Sequence, residues 1–213
     1  MKRKTTFKIG LLIFIIPFII SFVYYNKLPD TVAIHFNLND TPDNFASKAF
    51  ALFGLPLITL GIYIISYFVT SADPKRKNQG DYALNVVLIG VPILCLVTTY
   101  ITIAYALGKD IKVGFYLTIF LSLLFIAIGN YLPKTKRNYS IGIRVPWTLN
   151  SDYVWEKTHR LAGYLWVVCG ILMLLASIFF YNILAYIEIT IIALMVAIPV
   201  AYSYLLYRKE EVN

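Results

Sequence analysis

The chain has 213 residues, of which 59% are apolar and 14% charged, with a formal net charge of +8 and a mean hydropathy of +0.71. A soluble domain carries about 25% charged residues to face water, so this composition excludes one and requires lipid as solvent. The two cysteines, Cys95 and Cys169, lie inside apolar runs, which excludes a disulfide framework and a cysteine-rich metal site.

A helix needs about 20 largely apolar residues to cross the hydrocarbon core, at about 1.5 Å per residue. Six segments qualify: 9–25, 49–70, 83–107, 113–132, 161–181 and 183–207. The first follows a basic stretch as a secretory signal would. Its exit, Phe22-Val23-Tyr24-Tyr25-Asn26, offers no small-residue cleavage site, so it is expected to stay as a span. In the loop 26–48 that follows, residues 31–37 alternate with the period of an extended strand, and 38–43 read as a turn. Pro17, Pro56, Pro92 and Pro199 fall within the segments and predict kinks whose freed carbonyls need partners on neighbouring helices. Thr98, Thr99 and Thr102 in the third segment read as interhelical packing.

The second long loop, 133–160, opens with a basic run and continues through Ile141-Gly142-Ile143-Arg144-Val145-Pro146-Trp147-Thr148-Leu149. A helix then restarts, with Asn150 or Ser151 as N-cap and Asp152 and Glu156 favouring its positive end. Val154, Trp155, Thr158, Leu161, Ala162 and Leu165 share one face, which predicts a short interfacial helix feeding the fifth span. Little more than Asn182 separates the last two spans, so they form a tight hairpin.

With the N-terminus in the cytoplasm, fifteen of the nineteen Lys and Arg residues lie inside, and only Lys27, Lys48, Lys109 and Lys112 lie outside. The basic charge is therefore a topology signal, and no nucleic-acid partner is expected. The fold class this predicts is an all-α integral membrane protein with six transmembrane helices and both termini cytoplasmic. Residues 26–31 and 130–135 both read N-x-L-P-x-T, and Ile34-His35-Phe36 and Ile143-Arg144-Val145 follow them. With three spans per half, the halves point in opposite directions, which predicts a 3+3 inverted-topology repeat of the kind transporters use.

Glu188 is the strongly ionisable residue within the spans. A carboxyl group there costs about 2.5–3.5 kcal/mol if central and less near an interface. It either reaches the outer headgroups or is protonated, or it marks a substrate or proton site. His35 and His159 fall on opposite sides and cannot share a metal. Arg144, beside Pro146 and Trp147, reads as an anchor binding lipid phosphate, or as a contact or gate that uses its fork of donors. No nucleophile–base pair, phosphate-cradling loop or metal-ligand spacing is present. Loops of 23 and 28 residues are too short for an enzymatic domain. No catalytic residue, metal or cofactor is expected, and the chain is not expected to be an enzyme.

One group of residues carries a resemblance. Gly129-Asn130, Pro133-Lys134, Asn138, Gly142-Ile143-Arg144, Pro146-Trp147-Thr148-Leu149, Trp155, Thr158-His159-Arg160 and Gly163 together resemble the signature of the SdpI family. These are bacterial membrane immunity proteins against a secreted sporulation-delay toxin. The outer loop, with Leu28-Pro29-Asp30, Ile34-His35-Phe36, Pro42-Asp43 and Ser47-Lys48, is similar to the small domain of unknown function that often precedes that signature. Val145 and Asp40 depart from the threonine and glycine common at those positions.

The resemblance implies a multi-pass protein of the bacterial cell membrane that gives immunity to a membrane-active toxin peptide. It also implies signalling, by holding a cytoplasmic repressor at the membrane. On this reading Pro29, Asp30, His35, Phe36 and Lys48 face the toxin. The cytoplasmic signature loop comprises Asn130, Pro133, Asn138, Gly142, Arg144, Pro146, Trp147, Thr148, Trp155, His159 and Arg160. The chain divides into residues 1–132, with the extracellular loop 26–48, and residues 133–213, with the cytoplasmic loop 133–160, within a single membrane domain. Toxin, repressor and membrane lipids are the expected partners, and no oligomeric state follows. The competing reading is a small secondary transporter or exporter built on the inverted repeat.

Overall fold

A computed structural model describes residues 2–212, apart from the side chains of 83, 211 and 212. Residues 1 and 213, which end the two expected regions, lie outside the described residues. The order is α1 (Arg3–Tyr24), β1 (Thr31–Phe36), β2 (Pro42–Ser47), α2 (Leu55–Ser71), α3 (Asp81–Ala106), α4 (Val113–Tyr131), α5 (Pro146–Asn150), α6 (Asp152–Phe179) and α7 (Leu184–Val212). Among the described residues, six helices, α1, α2, α3, α4, α6 and α7, are long and apolar enough to cross a membrane. The expected fold class holds.

Three details differ from expectation. The interfacial helix and the fifth span are one helix, α6. Ser151 caps it, its Oγ accepting from Val154 N at 3.2 Å, and the buried face then runs unbroken from Val154 through His159 into Ala162 and Gly163. Pro56 lies in the first turn of α2, and the helical run before it is wound as a π-helical turn over Phe50–Gly54, so the irregularity at this proline takes the form of a π-turn within the span. The expected internal prolines are Pro17, Pro92 and Pro199. Pro199 leaves the Met195 carbonyl without its helical donor, and the Trp166 indole of α6 supplies one at 3.2 Å.

The third difference concerns the repeat. Both N-x-L-P-x-T copies run into a 3-10 turn, Tyr25–Lys27 and Leu132–Lys134, and both bury their leucine, Leu28 and Leu132. The likeness ends there, because one copy leads into a β-hairpin and the other into an irregular loop and α5. Packing does not follow the repeat either. An equivalence of the first three spans with the last three would match the α1–α3 pair with α4–α7, yet α4 packs chiefly on α6.

Small residues explain that choice. Ala162, Cys169 and Ala176 form one buried row on α6, and Gly163, Gly170 and Ser177 form a second. A Cβ on Gly163 would lie 2.5 Å from Pro133 Cγ and 2.8 Å from Gly129 O, and one on Gly170 would lie 2.9 Å from Ser122 O. Without side chains at these points the two backbones approach closely, which is how helices gain contact where lipid is as apolar as leucine.

The antiparallel hairpin pairs Thr31 with Ser47 and Phe36 with Pro42, with irregular register around His35. Val32 packs with Leu28, Leu52 and Ile103 in a small core, so β1 lies on the bundle while β2 is largely exposed.

The connections sort into two sets. Arg3 bonds Gln79 Oε1 at 2.6 Å, Lys136 N donates to Asn78 O at 2.9 Å, and Ser151 Oγ donates to Glu210 at 3.0 Å. At the opposite end Asp40 meets Gly114 and Tyr181. These sets are the connections that the basic residues assign to the inner and outer sides, respectively.

Candidate functional site

At the outer end, the hairpin and the starts of α4 and α7 enclose a cleft of about 500 Å³ with α3. Ile34, Phe36, Ile101, Leu117 and Leu184 supply apolar wall; His35, Asp40, Thr98, Thr102, Tyr181 and Glu188 supply polar groups. A mostly apolar concavity with a few convergent polar groups is the ordinary form of a ligand site.

Asp40 builds this cleft. It sits at the hairpin turn with φ +57°, the left-handed region where glycine is the usual occupant and Asp is tolerated. Its Oδ1 accepts from Gly114 N at 2.9 Å, and its Oδ2 accepts from the Tyr181 hydroxyl. The departure from glycine is thus a clasp, pinning the loop tip to the first turns of two spans. Lys112 Nζ lies 4.4 Å from the Tyr181 ring centroid. Deeper in the cleft, Glu188 contacts the Thr118 hydroxyl, which is also 2.7 Å from Gly114 O.

The structure divides the outer residues expected from sequence. His35 and Phe36 line the cleft; His35 Nδ1 is 2.5 Å from Asp43 Oδ1 on an exposed face. Pro29, Asp30 and Lys48 sit instead at the hairpin base. There Lys48 pairs with Asp30 at 3.1 Å, bonds Leu28 O at 3.2 Å, and lies over the Tyr25 ring. Glu188 joins the cleft from a different element. The sequence reading missed Asp40 as a contributor, along with Tyr181 and Thr118; only the turn pattern around Asp40 could have flagged it.

The inner loop is an ordered structure. Asn138, fully buried, donates to Lys136 O and Ile141 O and accepts from Ser140 N and Ile141 N, all within 2.8–3.1 Å. Trp155 is buried, donates to Thr135 O at 2.8 Å, and stacks on His159 at 4.0 Å between ring centroids. His159 has no exposed surface. Its Nδ1 faces Trp155 O at 2.8 Å, and its Nε2 accepts from Ile143 N at 2.9 Å. One neutral tautomer, protonated at Nδ1, satisfies both contacts. Gly142, at φ +114°, lies so close that a Cβ there would collide with the His159 ring. Thr148 accepts from Val145 N at 3.0 Å at the start of α5, and the Trp147 indole donates to Ser203 Oγ of α7 at 2.5 Å.

The remaining inner candidates are peripheral. Arg144 is exposed and turned back onto Tyr139 O, on the surface of the loop. Asn130, Pro146 and Arg160 are exposed, and Pro133 is half-buried against Gly163.

Asp73, which the sequence reading did not single out, ties this loop to the bundle. It is 6% exposed. Its Oδ2 accepts from Gln79 at 3.0 Å, Tyr139 N at 3.1 Å and Ser140 Oγ at 2.6 Å, and its Oδ1 accepts from Lys75 N at 2.7 Å. Burial by itself raises the carboxyl pKa, but the bonds from Ser140, Gln79 and the Lys75 and Tyr139 amides outweigh it and hold the group below its ordinary value. A carboxylate between apolar stretches carries no periodicity to mark this role.

A bundle of six spans, with an outward cleft and an ordered inner loop, defines a multi-pass membrane protein. The profile of the SdpI/YfhL protein family matches residues 134–203, and that of a domain of unknown function (DUF1648) matches residues 12–60. The chain is 32% identical over 205 residues to the immunity protein SdpI of Bacillus subtilis (strain 168), covering 94% of this chain and 95% of that one. The chain belongs to the SdpI family and is a multi-pass protein of the cell membrane. The relation points to a non-enzymatic role. No solved structure matches it significantly.

Proposed function

We propose that this chain is a membrane immunity protein that protects the cell against a secreted, membrane-active toxin peptide. The observation that carries this reading is the similarity to an immunity protein along nearly the whole chain; the outward cleft between hairpin and spans gives it a physical site. An amphipathic peptide arriving from outside meets an apolar wall interrupted by carboxylate, hydroxyl and imidazole groups. His35, Phe36 and Glu188 contact it in the cleft, and Pro29, Asp30 and Lys48 hold the hairpin that covers it.

The inner loop then reports occupancy, with the exposed Arg144 facing a cytoplasmic repressor or the lipid headgroups and Trp147 holding the loop to α7 through Ser203. A ligand shifts that loop only to the extent that it binds one bundle state better than another. The test is toxin challenge: the chain is expressed in a sensitive bacterium, the sporulation-delay peptide is added, and survival and membrane potential are followed. Arg144→Ala and Trp147→Ala are run alongside. The wild type is expected to protect. If the variants reach the membrane and lose protection, the inner loop takes part; if they protect, protection belongs to the outer face. No protection from a correctly inserted wild type overturns this toxin as the ligand.

A further inference from the structure

One helix touches both faces. The outer end of α7 gives Glu188 to the cleft, with Tyr181 in the turn before it. Its inner end gives Ser203 to the Trp147 indole at 2.5 Å, and Tyr204 to an edge contact with the same ring. Pro199 lies one turn before Ser203, so the helix lacks a hydrogen bond at that point. The open acceptor, Met195 O, is held by Trp166 of α6. Like α2, α7 leaves most of its most apolar stretch facing lipid, whereas α6 buries more of its own. A helix at the edge of the bundle thus has one joint, and a neighbouring helix holds that joint.

We propose that α7 is the transmitting element of this protein: Pro199 is its joint, Trp166 is the positioning residue that sets its bend, and Trp147–Ser203 passes its movement to the signature helix α5. This rests on the reading that the cleft binds a ligand and the inner loop responds, but its test needs no toxin. A tilt of the outer end of α7 is converted at Pro199 into a displacement of Ser203, which carries Trp147 and hence α5.

The full chain is expressed with Asn150→Cys, an exposed position on α5, in inside-out vesicles, and the modification rate by a membrane-impermeant maleimide is measured. The native Cys95 and Cys169 are buried. Tyr181→Phe removes the hydroxyl that meets Asp40 and so perturbs the outer end. It is expected to change the rate at Asn150→Cys by about fivefold or more, the lower range of coupling between distant sites. Lys77→Cys, an exposed inner position away from α7, should keep its rate. The change should vanish when Trp147→Phe cuts the inner tether.

Trp166→Phe should alter the rate by itself. On a Pro199→Ala background, where the restored backbone N–H recaptures Met195 O, it should have no effect, a coupling that simple loss of packing does not produce. An unchanged rate with Tyr181→Phe, a change that persists with Trp147→Phe, or a parallel change at Lys77→Cys overturns the proposal. So does additivity of the Trp166 and Pro199 changes. Coupling without protection in the toxin challenge removes the immunity reading alone; protection without coupling removes this one alone.

Discussion

Asp73 shows how one buried carboxylate can organise a loop far away in sequence. Its four acceptor contacts join the α2–α3 connection to Tyr139 and Ser140, and Gln79, itself fully buried, passes the tie on to Arg3 of α1. Asp73→Asn keeps the size but sets an NH2 against backbone or side-chain donors. The expected loss is about 1–3 kcal/mol, the cost of leaving buried polar groups unsatisfied, read as a lower unfolding temperature in detergent. The pH dependence has a definite sign. Because the folded pKa lies below the ordinary carboxylate value, the contribution is complete above about pH 3.9 and is lost as pH falls through the lower folded value. The wild-type advantage over Asp73→Asn should therefore stay constant between about pH 5 and about pH 8. An advantage that shrinks across that window would count against a charged Asp73 as the tie.

At the scale of elements, the helices were legible and their partners were not. Length and apolar content locate the spans because the bilayer sets both, and Lys and Arg give their orientation. Ser151 was legible as a cap because the chemistry is local. The joining of α6 into one helix was harder to read, because hydropathy drops around Glu156–Arg160 while the buried face of Trp155, His159 and Ala162 continues. The preference of α4 for α6 rests on glycine, alanine and serine, which scarcely alter a hydropathy profile. It follows that glycines of similar composition should behave differently. Gly163→Ala places a Cβ against Pro133 and Gly129 O and is expected to cost about 1–3 kcal/mol, as overpacking does. Gly61→Ala, with nothing within 4 Å of the new Cβ, is expected to be neutral, or to stabilise by up to about 1 kcal/mol through helix propensity. Thermal unfolding of both variants in the same detergent decides this. Equal effects would sink the account of the α4–α6 contact as one of backbone approach.

The candidate site belongs to the whole molecule, which is why it was only partly visible beforehand. His35 and Phe36 stood out through strand alternation and Glu188 through its charge, but no sequence pattern links 35, 40, 118, 181 and 188. They meet only when the first outer loop closes over the starts of α4 and α7. That meeting changes what Glu188 can mean. A transporter that cycles a proton through this carboxyl depends on its ionisation, whereas a site that holds a peptide against apolar wall depends on shape and hydrogen bonding. Glu188→Gln keeps the size and the contact with Thr118 and removes only the titration. For the immunity protein proposed here, survival in toxin should fall by no more than about threefold in effective dose, which corresponds to less than about 1 kcal/mol of binding. For an exchanger using Glu188, the same change should abolish activity at every toxin concentration while insertion stays normal. Dose–response curves for wild type and Glu188→Gln, normalised to protein in the membrane, separate the two. Complete loss of protection in the glutamine variant would favour transport, because a neutral, isosteric side chain leaves the cleft its form and takes away only its proton.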